Sequence, residues 1–249
     1  MASDLVYVYA VAEAPVPDLD GLTGIAGRPV HAITGDGAHW AAAGQVPGDE
    51  FGESALVSNL EDLTWLARTA REHHGVVDEL GHRSVLVPLA LATVYHHEDG
   101  VRAMLTDRAD SFTGLFDRLR GRAEWGVKAF AGAPQPQARA DRPSSGADYL
   151  RRRRAALSNA ARDDDAASAA AEELHRVACD LAVAGRRHRL HAAELTGRPG
   201  TMVLNGAYLV EEADRDGWCA AIDAAITGST LTVEVTGPWV PYSFAGDER

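Results

Sequence analysis

The chain predicts an α+β protein of two domains, and three observations carry that prediction. The first is LVYVYAV (5–11), a β-branched and aromatic run that is apolar at every position, as a strand covered on both faces must be. The second is the rhythm of the second half: strand, helix, strand, strand, helix, strand. That is the βαββαβ order of a modified ferredoxin-like domain, with an enlarged helical insert at 133–184. The third is charge. Nine arginines stand against eighteen carboxylates in residues 1–122, whereas the remainder carries fifteen basic and eighteen acidic residues. The boundary is therefore placed near residue 122, with an N-terminal α+β domain over 1–122 and the modified ferredoxin-like domain over 123–249, including an aromatic and proline-rich tail at 237–249.

In order, LVYVYAV is the central strand of the first domain. Residues 27–46 hold Gly35-Asp36-Gly37 between two short runs, the mark of a hairpin. Residues 47–57 read as loop. Ser58 through Glu61 fits a capping box, opening a helix whose apolar face is expected to be Leu60, Leu63, Leu66, Ala67, Ala70, His74 and Val77, ended by Gly81. SVLVPLALATVY (84–95) is a buried strand interrupted at Pro88, and residues 99–122 form one or two helices with Phe112, Leu115, Phe116 and Leu119 on one face.

In the second half, AEWGVKAFAG (123–132) alternates Trp125, Val127 and Ala129 with Glu124, Gly126 and Lys128, which predicts a half-exposed strand. A Pro- and Ser-rich loop follows at 133–146. Residues 147–184 are Ala-rich and helical, with Asp163–Asp165 expected to start a second helix. RRHRLHAAEL (186–195) is a weak strand and TMVLNGAYLV (201–210) a strong one. Asp214 can cap a helix through Trp218, Ile222 and Ile226, and TLTVEVT (230–236) is the last strand.

Composition excludes several function classes. A net charge of −12 makes the chain a poor nucleic-acid binder. The clusters RRRR (151–154) and RRHR (186–189) read as a solvated helix face and a strand edge. No run approaches the roughly 18 apolar residues of a membrane helix. The acidic start lacks the positive charge of a signal peptide, which predicts a cytoplasmic protein that uses no lipid membrane. Cys179 and Cys219 are expected as buried thiols, with no basic partner to lower their pKa and no zinc spacing. His73-His74 and His96-His97 do not make two-ligand faces, because adjacent helical residues diverge by about 100°, and no HExxH occurs. No phosphate-binding glycine loop or nucleophile elbow is present. The residues predict no catalytic centre, no metal site and no cofactor.

Several segments together resemble one family, the gas vesicle protein F/L family: LVYVYAV, LARTAREHHGVVDEL (66–80) followed by VLVPLALATVY (85–95), LRGRAEWGVKAF (119–130), LNGAYLV (204–210) and TGPWVPYSF (236–244). The resemblance spans nearly the whole chain. EWGVK and the GPW-x-PYSF end are its specific parts. Two departures stand out: Ala90-Leu91-Ala92 replaces the usual Arg-Phe-Gly, and Val240 replaces the first proline after the tail tryptophan. The resemblance implies a non-enzymatic accessory protein of gas vesicle assembly, of F or L type, with two α+β domains. It implies association with the gas vesicle, on the gas-facing side of the shell, and partners in the small hydrophobic shell protein and other accessory proteins. In physical terms the acidic first half would keep a complex soluble while an apolar patch or sheet edge captures the shell subunit. The segments of the resemblance also supply the candidate structural or interaction residues Trp125, Lys128, Tyr208, Trp239, Tyr242 and Phe244.

Two other classes stay open on the residues alone. One is a small-molecule-binding regulatory protein that uses the ferredoxin-like half as its platform. The other is a metal-dependent hydrolase built on His73 and His96 with Glu72 or Glu98. The tail is expected to lay Trp239, Tyr242 and Phe244 over apolar surface of its own molecule, with docking to a partner as the alternative. Its two prolines argue against regular sheet pairing.

Overall fold

The computed structural model describes residues 4–132, 146–192 and 200–246. By internal contacts the chain divides into two compact units, Met1–Arg120 with Trp239–Arg249, and Gly121–Pro238. The tail from Trp239 onward thus belongs with the first unit, although its sequence position had attached it to the second.

The first unit is built on β1 (Leu5–Glu13), β2 (Val30–Thr34), β3 (His39–Val46), β4 (Leu86–Pro88) and β5 (Val94–Tyr95). The sheet runs β2-β3-β1-β4, and β5 also pairs with β1, all antiparallel. β1 is buried from Leu5 to Ala12 because helices cover both of its faces. On one side Tyr7 and Tyr9 join Trp40, Phe51, Trp65, Val76, Val77 and Leu80 in a single cluster. Val6, Val8 and Val11 are buried as well. α3 (Leu63–Gly81) packs on β1 and β4, α4 (Glu98–Asp107) on β2, β3 and β5, and α5 (Ala109–Leu119) on β4. The hairpin turns between Thr34 and His39, as the Gly-Asp-Gly signal predicts.

Three local expectations are corrected here. Residues 47–57 are not loop, since α1 (Gly48–Phe51) and α2 (Glu53–Glu61) occupy most of the stretch. Ser58 lies inside α2 and caps nothing. The cap of α3 is Asp62, whose Oδ1 accepts the N–H of Thr64 at 2.8 Å and of Trp65 at 3.3 Å. With the start moved, the buried face moves too. α3 buries Trp65, Thr69, His73, Val76, Val77 and Leu80 and leaves Leu63 exposed, while Leu60 falls in α2 and is exposed there. The strand interrupted at Pro88 becomes two short strands joined by a turn in which Ala92 takes φ +63°, a left-handed conformation costly for a residue with a Cβ.

The second unit holds β6 (Arg122–Ala131), α6 (Gly146–Asp180), β7 (Ala184–Arg187), β8 (Thr201–Glu211), α7 (Arg215–Ile226) and β9 (Leu231–Trp239). The element order is the expected βαββαβ, and the sheet runs β7-β8-β6-β9. β6 and β8 pair antiparallel, with Trp125 opposite Tyr208 and Lys128 opposite Asn205. α6 and α7 cover one face, closing a cluster of Trp125, Val127, Leu174, Tyr208, Trp218 and Ile222. Three expectations change. The insert is one helix of 35 residues, with Asp163–Asp165 inside it rather than at a start. The weak strand lies earlier, at Ala184–Arg187. β9 continues through Gly237 and Pro238 to Trp239, which proline permits because β9 ends the sheet. Gly237 sits at φ +138°, and a Cβ there would stand 2.9 Å from the Glu124 carbonyl and 3.0 Å from the Trp125 ring, so only glycine fits.

Candidate functional site

The corner where α2 meets α3 is the clearest candidate contact surface in the first unit. α2 buries none of its residues. Val57, Leu60 and Leu63 follow one another at three-residue spacing and are 62%, 40% and 78% exposed. Glu53, Glu61 and Asp62 accompany them on the same exposed stretch. The corner is held from beneath. Glu50 Oε2 accepts the Trp65 indole N–H at 3.0 Å and the Arg68 guanidinium at 3.1 Å, and Asn59 donates to the Glu50 carbonyl at 2.9 Å. Trp65 packs on Phe51 with ring centres 5.1 Å apart. The aliphatic side chains therefore face solvent from a braced position, an arrangement typical of surfaces that another molecule covers.

The six candidate residues divide by burial. Trp125 is buried against Trp218, with ring centres 6.0 Å apart. Tyr208 is fully buried, its hydroxyl 2.7 Å from His175 Nδ1. Phe244 is also fully buried. Tyr242 is half-buried on α3, with its hydroxyl 2.9 Å from His74 Nδ1, and burial raises its pKa. Lys128 is half-buried on β6. Trp239 is half exposed. Val240 joins the same cluster as Tyr242. It lies so close to Gly81 that a Cβ there would stand 2.5 Å from its Cγ2. The tail is thus packed into its own unit, and Trp239 is its one large exposed side chain among the described residues.

Two titratable clusters lie elsewhere. His73 is buried between Tyr7 and Tyr9, with ring centres 5.7 and 5.8 Å away. The Tyr7 hydroxyl accepts the Ala92 N–H at 2.9 Å and is hydrogen-bonded to His73 Nδ1, also at 2.9 Å. Nε2 of the same ring is buried without a hydrogen-bond partner among the described residues. Burial, aided by His74, lowers this imidazole's pKa to about 4, so it is neutral at physiological pH. On α6, Cys179 Sγ lies 3.6 Å from His175 Nε2. The Arg187 guanidinium pulls the thiol's pKa down, yet burial pushes it up by more. Burial, with Arg187, likewise lowers the His175 pKa. Both groups stay neutral and no thiolate forms.

The cysteines are half-buried rather than enclosed, and Cys179 does have basic neighbours, which the sequence reading missed. The i,i+4 spacing of His175 and Cys179 was the available signal. Arg187 is brought in by β7. Around them is an open depression of about 580 Å³ on the outer face of α6. His73 is enclosed by Tyr7 and Tyr9, the His96 ring lies tilted beside His97 with centres 6.4 Å apart, and His31 bonds Glu98 at 3.2 Å. Among the described residues no group of three or more His, Cys, Asp or Glu could hold a metal ion, and no helix is long and apolar enough to cross a membrane.

Comparison with known proteins gives consistent results. The family model described as gas vesicle synthesis protein GvpL/GvpF matches residues 5–246. The chain is 43% identical to a gas vesicle protein L of a Streptomyces strain, over 99% of this chain and 95% of that protein. It is 27% identical to the gas vesicle protein F of the same strain, over 96% of this chain and 98% of that one. In structure it resembles crystalline gas vesicle protein GvpF from an Anabaena species, with a TM-score of 0.69 at 18% identity over 99% of this chain and 98% of that one, which establishes a shared fold.

Proposed function

The chain belongs to the gas vesicle synthesis protein GvpL/GvpF family, and from that premise we propose that it is a non-enzymatic, L-type accessory protein that captures the hydrophobic shell subunit during vesicle assembly. Its greater identity to the L than to the F protein of one strain supports the type. The observation that carries the capture reading is the α2–α3 corner. Val57 and Leu60 on α2 and Leu63 at the start of α3 are exposed aliphatic side chains at one helix corner, in a half-chain that carries an excess of nine negative charges. The corner offers a shell subunit apolar surface to cover, while the surrounding carboxylates keep the complex apart from other complexes. Other accessory proteins are further partners on this reading, and the place of action is the vesicle shell, on its gas-facing side.

Full burial of each aliphatic side chain is worth about 1.5–3 kcal/mol. Replacing all three with glutamate should therefore weaken capture by more than about a hundredfold. The test is co-expression of the full chain with a tagged shell protein. Wild type should co-purify, whereas Val57→Glu/Leu60→Glu/Leu63→Glu should not, with its circular dichroism and melting temperature close to wild type because all three side chains are exposed. Undiminished retention of the shell protein by the folded triple variant would sink the proposal.

A further inference from the structure

In its second half α6 docks on the sheet through Ala167, Ala171, Leu174 and Ala178, all buried. Those residues alternate spacings of four and three, the seam of a helix that packs along its length. Carried toward the N-terminus with the same alternation, the seam passes through Asp164, Ala160, Leu157, Arg153 and Leu150. None of these five is covered: Leu157 is 64% and Leu150 59% exposed, and the other three are exposed too. One continuous seam is thus buried in its second half and open in its first. Alanine and arginine favour helix without tertiary support, but helix propensity does not explain two leucines placed on the seam and turned to water.

The charges name the occupant. The open segment is basic at one end, Arg151–Arg154, and acidic at the other, Asp163–Asp165. We propose that the first half of α6 pairs antiparallel with the same segment of a second copy of this chain, about a two-fold axis between Ser158 and Asn159. In that register Arg152, Arg153 and Arg154 lie against Asp165, Asp164 and Asp163 of the second copy. Four of the five open seam positions then meet one another, Leu157 facing Ala160 and Arg153 facing Asp164, while Leu150 lies beyond the paired stretch. Large residues meet small ones, which lets two helices approach closely, and positive meets negative on both sides of the axis. Such self-complementarity is what an isologous two-fold interface requires. A parallel pair in the same register would set Arg against Arg and Asp against Asp. The paired stretch of 14 residues, 152–165, spans about 21 Å. A different acidic partner could also meet the arginines, but it would leave the matching aspartates without a role.

The experiment is sedimentation of the full chain. Wild type should form a concentration-dependent dimer that salt weakens. Arg152→Glu/Arg153→Glu/Arg154→Glu should weaken it at least tenfold, and so should Asp163→Arg/Asp164→Arg/Asp165→Arg. Both sets in one chain should restore the dimer, and an equimolar mixture of the two single-set proteins should form a heterodimer. Independently of helix charge, Leu157→Cys mixed with Ala160→Cys should cross-link under mild oxidation beyond the level given by wild type through Cys179 and Cys219. A wild type that stays monomeric at tens of micromolar, a combined variant that fails to recover the dimer, or the absence of the cross-link would each overturn the proposal.

Discussion

Phe244 and Trp239 stand five residues apart in the C-terminal segment, and the structure assigns them opposite weights. Phe244 is fully buried and Trp239 is 50% exposed. Phe244→Ala removes a buried aromatic ring and leaves a cavity lined by the first unit, at a cost of about 3–5 kcal/mol. Against the 5–15 kcal/mol total of an ordinary domain this is a large share. At roughly 2–4 °C per kcal/mol for a chain of this size, the melting temperature should fall by roughly 6–20 °C. Trp239→Ala removes a larger side chain from a half-exposed position, and its effect should stay within about 1 kcal/mol. The assay is thermal unfolding of both full-length variants by far-ultraviolet circular dichroism, with urea unfolding to confirm the ordering. The reasoning rests on the tail being part of the core of the first unit. If Phe244→Ala melts no lower than Trp239→Ala, the tail is not so integrated and the account of it as an internal plug is refuted.

Two further outcomes are expected. Ala92→Gly should stabilise the protein by about 0.5–1 kcal/mol in urea, because φ +63° strains alanine and the N–H to Tyr7 is retained by glycine; a loss of stability would show that the turn holds alanine without strain. His73 has a folded pKa near 4 against an ordinary 6.5, so the unfolded chain binds the extra proton first: its contribution to stability is complete above pH 6.5 and is lost as pH falls toward 4, by about 3 kcal/mol in all, and His73→Phe should flatten that part of the acid-unfolding curve by about one proton.

Much of the architecture was legible because covered and half-covered strands carry different patterns. LVYVYAV is apolar at every position, and β1 is buried on both faces; AEWGVKAF alternates, and β6 is covered by helices on one face. The start of α3 was misread for a physical reason. Ser58 and Glu61 satisfy the capping-box spacing, but so do many stretches inside helices, and Asp62 caps the next helix with a better-placed oxygen. Moving the start to Leu63 did not merely shift a boundary. A helix's buried face is set by what it packs on, and here Trp65 is pinned by Glu50 and Phe51. Leu63 is left outside, and Leu60 belongs to the preceding helix, also exposed. No periodicity could reveal it, since apolar residues at helical spacing look alike whether they face a core or a partner.

The same ambiguity runs the other way through the segments that most resembled the family. Trp125, Tyr208 and Phe244 are large, aromatic and embedded in specific motifs, which suits a structural or an interaction role alike, and each is buried in its own unit. A side chain already enclosed has no apolar surface left to offer, so these three can shape a partner site only by holding the backbone that carries it. On the proposed readings, recognition falls to residues with weak sequence signatures: exposed Val57, Leu60 and Leu63, half-exposed Trp239, and the open seam of α6 at Leu150 and Leu157. These positions are separable by mutation. The corner should change capture without changing self-association, and the seam should change self-association without changing the fold of the first unit. The core aromatics should change stability and everything that depends on it.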